Sequence, residues 1–526
     1  MNTSAREVRF PGVSRLFADY LYAFERVQPF YPAGSAFDLP ALAAQAADVA
    51  YPEAIRGAMA AALARQNPSP AAQRSLERFR RPGAVAIVTG QQAGLFGGPL
   101  LTVHKAMTAI RLCEQLEAEK VTAVPVFWIA SQDHDLAEVN QAWALDSGSV
   151  PRCLHAALEA QPGVPVGRVR LPESTAQLLQ DWEAVTGEPA ADLRATYSTG
   201  ATLAQAFAAL LQRWFEPWGL LVFDPMEAPE ASAVWRPYYR EVFQRQAELA
   251  ELLARRTAEL EKAGYHAQVE QTAAASMLFA LDRGVRRGLR RLADGWWSGD
   301  RRLEAGEGER LLEQPDQLSP AALLRPLLQD VAFPTLAQVT GPAETAYLAQ
   351  SAVLYTAFGR RQPVAWPRAS ATLVDAKARR LLDKYELGLE AIWQTQAGEL
   401  LGERALPPEV GQRVRGLQSS MDQGLEALSA ELQRLDPTLV DAARGAAEKI
   451  QHQLAQLEGR VTRSLTRRSG ELAAQAQHLE GLLFPEHHLQ ERVLSGAGFL
   501  ARHADLLQLL HTNLDPAAAG HQAINL

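Results

Sequence analysis

The sequence is poor in cysteine and has no long apolar run. Of its 526 residues only Cys113 and Cys153 are cysteines, which excludes a disulfide-rich secreted domain and fits a reducing cytoplasm. Because no Cys-x-x-Cys pair occurs, neighbouring thiolates cannot form a zinc site. No stretch approaches the roughly 20 apolar residues that cross a bilayer, and the first twenty residues lack the apolar core of a secretory signal. We therefore expect a cytoplasmic protein that does not enter a membrane.

Positive charge is not in excess either. The chain carries 52 Lys and Arg against 60 Asp and Glu, a formal net charge of −8, which argues against a nucleic-acid partner. The apolar fraction of 47% and the charged fraction of 21% are those of an ordinary globular protein. Since one domain usually takes about 100–200 residues, we expect several structural units.

Apolar runs that end in polar turns predict a parallel α/β sheet. Residues 84–88 precede a glycine-rich turn at 89–99 and a helical pattern over 100–120, and a second apolar run follows at 124–130. Strand, turn, helix and strand form a βαβ unit, and fully apolar strands are typical of a parallel sheet covered on both faces. Three later segments are interpreted as further parts of this core: 219–225, 333–344 and 363–368.

Beyond residue 372 the apolar spacing becomes that of a coiled coil. Spacings of three and four residues join Val414, Leu417, Met421, Leu425, Leu428, Leu432 and Leu435, and they resume over Ile450, Leu454, Leu457, Val461 and Leu465. Asp436-Pro437 separates two helices. We predict a long antiparallel helical hairpin, preceded by a helix over 372–400, whose apolar stripe meets a second copy of the chain. An intramolecular three-helix bundle is the alternative.

Six segments are predicted along the chain. They are an N-terminal helical segment, a Rossmann-like core, a helical connecting insertion, a continuation of the core, a coiled-coil domain and a C-terminal return segment. Their bounds are 1–78, 79–229, 230–325, 326–371, 372–482 and 483–526, respectively.

The glycine-rich turn is the first candidate ligand site. Glycines permit close backbone approach, and the helix that follows offers free N–H groups and a positive dipole end, which suit phosphate or carboxylate. The turn matches neither the Gly-x-Gly-x-x-Gly nor the Walker pattern, so tight strand-to-helix packing is the alternative. The candidate residues are Thr89, Gly90, Gln91, Gln92, Gly94 and Gly98.

Two charged motifs follow the strands. The run from Gly98 to His104 is similar to the signature loop of class I aminoacyl-tRNA synthetases, although only the second histidine of that loop is matched, and Lys105 comes next. Asp133-His134-Asp135 lies at a predicted strand end, where Asp133 and Asp135 share one face. Such a motif can do acid–base work, bind a metal or bind an amine; a solvated loop is the alternative.

Later positions could complete the same pocket. Glu344 and Tyr347 follow Gly341-Pro342, which is also an ordinary helix start. Arg325 and Arg368 lie beside prolines and could clamp a carboxylate with the planar guanidinium; exposed surface arginines are the alternative.

Together these residues resemble the cysteine-adding enzyme (BshC) family of bacillithiol biosynthesis. The resemblance covers nearly the whole chain, and the segments at 90–96 and 133–135 together are quite specific. The matching segments are 88–96, 98–99, 104–105, 127–130, 133–135, 223–225, 264–265, 319–320, 325–326, 341–347, 367–370 and 490–492. It implies a Rossmann-like core similar to class I synthetases, helical insertions, and a C-terminal coiled coil that pairs two subunits. It also implies a reaction that adds L-cysteine to glucosaminyl-malate.

The implied reaction sets the expected roles. A carboxylate must gain a leaving group before an amine can displace it, so ATP or another nucleotide is the expected cosubstrate, with no tightly bound cofactor and no metal. We expect His104, Asp133 and Asp135 to be catalytic and the other candidates to bind substrate or nucleotide. Two alternatives stay open: a metal-dependent glycosyltransferase that uses Asp133 and Asp135, and a non-catalytic nucleotide-binding scaffold whose working part is the coiled coil.

Overall fold

The computed structural model describes residues 12–67 and 69–526. The chain divides into two compact units. The first comprises Met1–Ala144, Arg152–Thr372 and Glu491–Ile524, and the second comprises Leu145–Pro151, Leu373–Gln490 and Asn525–Leu526. Within the described residues no helix is both long and apolar enough to span a bilayer.

A five-stranded parallel sheet forms the centre of the first unit. Its strands are β1 (Val85–Gln91), β2 (Ala123–Ile129), β3 (Leu221–Phe223), β4 (Thr335–Thr340) and β5 (Val364–Pro367). They lie in the order β5-β4-β1-β2-β3, and every neighbouring pair is parallel. This is the doubly wound order, whose direction reverses between β1 and β4, and ligands bind such sheets outside the carboxyl ends of the strands at that reversal. The predicted Rossmann-like fold class is confirmed.

Both faces of the sheet are covered. Alternate residues of β1 pack into different cores: Ala86 and Val88 into one, Val85 and Ile87 into the other. All seven residues of β2 are buried, which explains why its sequence lacks the alternating pattern of a half-exposed strand. Two crossover helices matter for the site: α1 (Leu101–Ala118) joins β1 to β2, and α2 (Pro342–Ala357) joins β4 to β5.

Further helices surround this sheet, and short strands flank it. The helices of the first unit are Arg15–Tyr22, Leu39–Ala44, Glu53–Gln66, Pro70–Phe79, Leu136–Val139, Thr175–Thr186, Ala191–Thr196, Leu203–Trp214, Pro229–Gln244, Gln246–Lys262, Glu307–Leu312, Arg325–Ala332, Gly496–Arg502 and Leu506–Asn513. Four short strands and one short helix reach or cross a unit boundary: Gln141–Leu145, Pro151–His155, Ser370–Val374, His521–Asn525 and Gln490–Val493.

The insertion differs from its helical prediction. Two helices follow residue 229 as expected, but the next part is an antiparallel sheet, so the prediction is wrong there. Its strands are Ala275–Asp282, Val285–Leu292, Gly295–Ser298, Arg301–Arg302 and Leu318–Pro320. The first hairpin turns at Arg283-Gly284, where both residues have positive φ (51° and 83°), as a tight two-residue hairpin requires. The surrounding Arg and Leu residues are good helix formers, and they concealed this turn signal.

The second unit contains the predicted helical hairpin. Pro408–Leu435 packs against Leu439–Arg468, and Asp436 accepts hydrogen bonds from the N–H and hydroxyl of Thr438 at the reversal. The coiled-coil prediction is confirmed, although the Val414 side chain lies outside the described residues. The single helix predicted over 372–400 is wrong, because Glu386 adopts φ 51°. The remaining helices of this unit are Ala376–Lys384, Leu389–Gln394, Ala397–Arg404 and Gly470–Leu483.

Candidate active site

Lys105 connects the ends of β1 and β4, the two strands between which the sheet order reverses. Its ammonium donates to Gly90 O (2.7 Å) and Gln91 Oε1 (3.0 Å) at the end of β1, and pairs with Glu344 Oε2 (2.5 Å) on α2. Glu344 also accepts from the Gly341 N–H (2.6 Å), which caps α2. Burial lowers the pKa of Lys105 even though Glu344 opposes that shift. Because an ammonium has three donors, Lys105 is fully occupied, and it holds the ends of β1 and β4 together.

Asp133 is the best placed acid of this region. Its Oδ2 accepts from Gln92 Nε2 (3.1 Å) and its Oδ1 from the His134 N–H (2.7 Å), and its side chain is 26% exposed. Burial alone would raise the pKa of Asp133, but these hydrogen bonds and the cations Arg286 and Arg325 hold it below its ordinary value. Asp133 is therefore ionised at neutral pH and reachable by a ligand.

Arg325 and Tyr347 complete the same cluster. Arg325 opens the helix Arg325–Ala332, and its guanidinium interacts with the Tyr347 hydroxyl and with Asp133. Burial, reinforced by Glu344, raises the pKa of Tyr347 to about 12, although Arg325 opposes the shift. Tyr347 consequently keeps its proton and can donate a hydrogen bond. Among the described residues no acid lies within ion-pair distance of Arg325.

One residue of the cluster has no counterpart in the sequence prediction. Arg286, on the second strand of the insertion sheet, donates from Nη1 to His134 Nδ1 (3.1 Å). The overlooked signal was the Arg283-Gly284 turn just before it. A two-residue turn of this type joins two strands, so the arginine-rich run that follows should be a strand whose side chains alternate between two faces.

The later half of the glycine-rich turn packs against protein. A Cβ on Gly94 would lie 2.7 Å from the Gly98 Cα, and Gly98 has φ +67°. Thr89 Oγ1 donates to Val339 O across the sheet (3.1 Å). The Leu100 N–H donates to Leu494 O (2.8 Å), so the start of α1 is covered by the C-terminal segment. A Cβ on Gly90 would lie 2.7 Å from Trp128 O, so Gly90 has a packing role as well as Thr89, Gly94 and Gly98. Of the turn residues, Gln91 and Gln92 reach the cluster through their side chains, which contact Lys105 and Asp133.

His104 and Arg368 lie in a closed polar network around Glu491. His104 Nδ1 donates to Glu491 Oε2 (2.8 Å), and Arg368 Nη2 pairs with Glu491 Oε1 (2.6 Å). Ser370 Oγ and the Ala371 N–H also donate to this carboxylate. The side chains of His104 and Glu491 are fully buried. Arg368 is already paired and His104 has no exposed surface, so the structure separates both from the pocket that was predicted to contain them.

The Glu491 carboxylate is ionised. Burial would raise the pKa of Glu491, but Arg368, His104 and His521 hold it well below its ordinary value. Among the described residues His104 Nε2 has no hydrogen-bond partner. The network joins α1, the segment after β5 and the C-terminal segment, which makes it a structural element of the first unit.

Asp135 has a different hydrogen-bond partner from Asp133. Its Oδ1 accepts from the Glu138 N–H (3.2 Å) and caps the helix Leu136–Val139. Burial raises the pKa of Glu138, and the charges of Asp135 and Asp133 add to that shift, so three acids lie near each other at this turn. In the part of the chain that the structure describes, no group of three or more His, Cys, Asp or Glu side chains is placed to hold a metal ion.

A small cavity adjoins the cluster. It measures about 140 Å³ and lies outside the carboxyl ends of β2 and β3, with Gln132, Arg168, Met226 and Ser319 among its lining residues. Gln132 directly precedes Asp133 along the chain. The arrangement offers an acid flanked by two arginines, beside a space large enough for a small polar group.

Comparisons with known proteins agree with the fold. Residues 3–369 match the family model described as "Bacillithiol biosynthesis BshC, N-terminal Rossmann-like domain", and residues 371–526 match "Bacillithiol biosynthesis BshC, C-terminal coiled-coil domain". Curated relatives named as the cysteine ligase BshC include those of Solibacter usitatus (38% identity, 99% of both chains) and Koribacter versatilis (37%, 96% of both chains). A relative with the same name from Thermus thermophilus is 33% identical over 87% of this chain and 91% of its own. The resemblance stated from the sequence is confirmed.

Proposed function

The chain belongs to the BshC family of bacillithiol biosynthesis, and on that premise we propose that it is a ligase that joins L-cysteine to glucosaminyl-malate through an amide bond. One observation carries the proposal: the ionised Asp133 carboxylate, which accepts from Gln92 Nε2 and the His134 N–H, also feels the positive charges of Arg286 and Arg325. Glucosaminyl-malate has an amine on its sugar and carboxylates on its malyl group. A carboxylate flanked by guanidinium groups is complementary to that charge pattern.

Amide formation needs an activated cysteine carboxylate. We propose a nucleoside triphosphate as the activating cosubstrate, ATP being the simplest choice. The cysteine carboxylate would displace a phosphate-bearing leaving group from the nucleotide. The sugar ammonium would first lose a proton to solvent. The neutral amine would then attack the activated carbonyl, form the C–N bond, release the nucleotide product and lose a second proton to solvent. Gln91 and Gln92, whose side chains contact Lys105 and Asp133, are the turn residues that we assign to this cosubstrate.

Asp133 is assigned to binding rather than to proton transfer. A carboxylate whose pKa is held below its ordinary value is a weak base at neutral pH, but it attracts an ammonium group well. We assign Asp133 to the orientation of the sugar amine, and Tyr347 to a hydrogen bond with an acceptor oxygen. Lys105 and Glu344, which are occupied by each other, hold the strands that carry these groups.

The proposal is tested by product formation. Purified protein incubated with L-cysteine, glucosaminyl-malate and ATP is expected to yield a thiol product with the mass of the amide, together with stoichiometric nucleotide hydrolysis. Omitting either substrate should stop both. Amide formation without nucleotide would refute the cosubstrate, and absence of the amide with every nucleoside triphosphate tried would refute the ligase activity.

We further propose that the second unit pairs two copies of the chain. Leu417 and Leu428 are 58% and 48% exposed. They are eleven positions apart, which is about three helical turns, so they lie on one stripe. Exposed leucines in a stripe are costly in water and are normally covered by a partner. A second copy is the simplest occupant for a coiled-coil hairpin.

Lysine substitutions in this stripe are expected to break the pair. Leu417→Lys combined with Leu428→Lys should convert a dimer into a monomer, measured by light scattering after size-exclusion chromatography, because charges cannot be buried in an apolar seam. The control is Ser419→Lys with Gln423→Lys on the same helix, which should remain dimeric. A wild-type chain that is monomeric at micromolar concentration would contradict the proposal.

A further inference from the structure

Arg286 is held rigidly beside the Asp133-His134 turn. Its Nε donates to Ser319 Oγ (2.9 Å), its Nη2 to Pro320 O (2.7 Å) and its Nη1 to His134 Nδ1 (3.1 Å). Its Cζ lies 3.7 Å from the centre of the Phe279 ring, within the range of a cation–π contact. Because a guanidinium only donates, His134 Nδ1 must accept, so the ring proton of His134 is on Nε2. The position and orientation of Arg286 are thus fixed before any ligand binds.

The guanidinium nevertheless keeps binding capacity. Of its five N–H groups, three are used by the contacts above, and the two others have no acceptor within the described part of the chain. Burial lowers the pKa of Arg286 to about 10 despite the opposing effect of Asp133, which leaves it charged at neutral pH. No described carboxylate lies within ion-pair distance of it, and the nearby acid Asp133 is shared with Arg325. Asp133 is thus the one carboxylate whose charge acts on Arg286 within the described residues, and it acts from beyond ion-pair distance.

We propose that Arg286 binds a carboxylate of the acceptor, so that the insertion sheet selects amino sugars that carry an anionic aglycone. The inference rests on the proposed ligase function and adds a specificity-determining residue to it. A planar, preorganised guanidinium with two free N–H groups matches a carboxylate. Ser319, which accepts from Arg286 Nε, is also a lining residue of the adjoining cavity, so one side chain separates the guanidinium from open space. Arg286 belongs to the insertion sheet, whereas the residues assigned to the amide reaction follow the strands of the parallel sheet. Acceptor selection and amide formation therefore depend on different parts of the fold.

The preference between two acceptors shows whether Arg286 recognises the acceptor or only supports the fold. The kcat/KM is determined for glucosaminyl-malate and for methyl glucosaminide, an amino sugar without carboxylates. Arg286→Gln is expected to reduce the preference for the malyl acceptor about 10- to 100-fold, the usual effect of losing a hydrogen-bonded charge. The loss should come from a higher KM for glucosaminyl-malate, with the KM for cysteine unchanged. Arg286→Lys should fall between the wild type and Arg286→Gln, because it keeps the charge but not the fork.

The neighbouring arginine supplies the matched control. Arg287 is exposed on the same strand and lies 4.0 Å from Asp282, so Arg287→Gln should leave the preference unchanged. If Arg286→Gln lowers kcat/KM equally for both acceptors, Arg286 only supports the site and the inference is overturned. An unchanged preference overturns it as well.

Calorimetry with glucosaminyl-malate alone distinguishes this inference from the proposed function. If the wild type binds glucosaminyl-malate but forms no amide, and Arg286→Gln binds it more weakly, the ligase reaction is refuted and the recognition role of Arg286 is retained. If the wild type forms the amide and its acceptor preference is the same in Arg286→Gln, the ligase reaction is retained and the recognition role of Arg286 is refuted. A wild-type protein that neither binds nor converts glucosaminyl-malate would overturn both.

Discussion

Replacing Asp133 with asparagine is expected to lower kcat/KM about 100- to 1000-fold, a usual loss when a preorganised charge is removed from an active site. The amide has the same shape but cannot attract the sugar ammonium between Arg286 and Arg325. The fold should survive, because the Gln92 Oε1 has no partner among the described residues. The Gln92 amide can therefore rotate and accept a hydrogen bond from Asn at position 133. Steady-state kinetics with glucosaminyl-malate as the varied substrate measures the loss.

Asp135 provides the control from the same motif. Its carboxylate caps the helix Leu136–Val139, and asparagine caps helices about as well as aspartate. Asp135→Asn is therefore expected to keep most of the wild-type activity. Equal losses in the two variants, or a fully active Asp133→Asn protein, would contradict the assignment of Asp133 to the acceptor amine.

The second large effect is expected on stability. Glu491→Gln leaves the Arg368 guanidinium buried beside a neutral partner, and breaking a buried ion pair from one side typically costs about 3–5 kcal/mol. The midpoint of urea unfolding, followed by tryptophan fluorescence, should therefore fall markedly. Adding Arg368→Met should recover part of the loss, because the orphaned charge is then removed as well.

A surface acid with two arginine partners is the comparison for Glu491. Glu313 contacts Arg236 and Arg240 and is 58% exposed, and exposed pairs contribute little because water screens them. Glu313→Gln should barely move the unfolding midpoint. A Glu491→Gln protein that is no less stable than Glu313→Gln would show that the network around Glu491 does not support the first unit.

The parallel sheet and much of its site could be predicted from the sequence. Apolar runs at 84–88 and 124–130 end in polar turns, and parallel strands bring their carboxyl ends to one edge. That rule alone places Gln92, Asp133 and Glu344 near each other. The heptad spacing likewise predicted the hairpin, because its period is a property of each helix and needs no knowledge of distant contacts.

Contacts between distant parts of the chain could not be predicted in the same way. His104 has the local appearance of a catalytic histidine, but its partner Glu491 lies 387 positions away, and only that contact shows the ring to be buried. Arg368 was misplaced for the same reason. Arg286 was overlooked because its strand has the composition of a helix, and a short hairpin turn is the one local signal against that interpretation. Charge and residue type indicate what a side chain can do, whereas burial decides whether a ligand can reach it.

The central claim is that the acceptor binds beyond the carboxyl ends of the parallel strands, against Asp133, Arg325 and Arg286. A crystal structure with glucosaminyl-malate bound tests it most directly. The account predicts the sugar amine within about 3 Å of an Asp133 carboxylate oxygen, a hydrogen-bond distance, and a malyl carboxylate against Arg325 and Arg286. An acceptor bound elsewhere, with Asp133, Arg325 and Arg286 untouched, would contradict it.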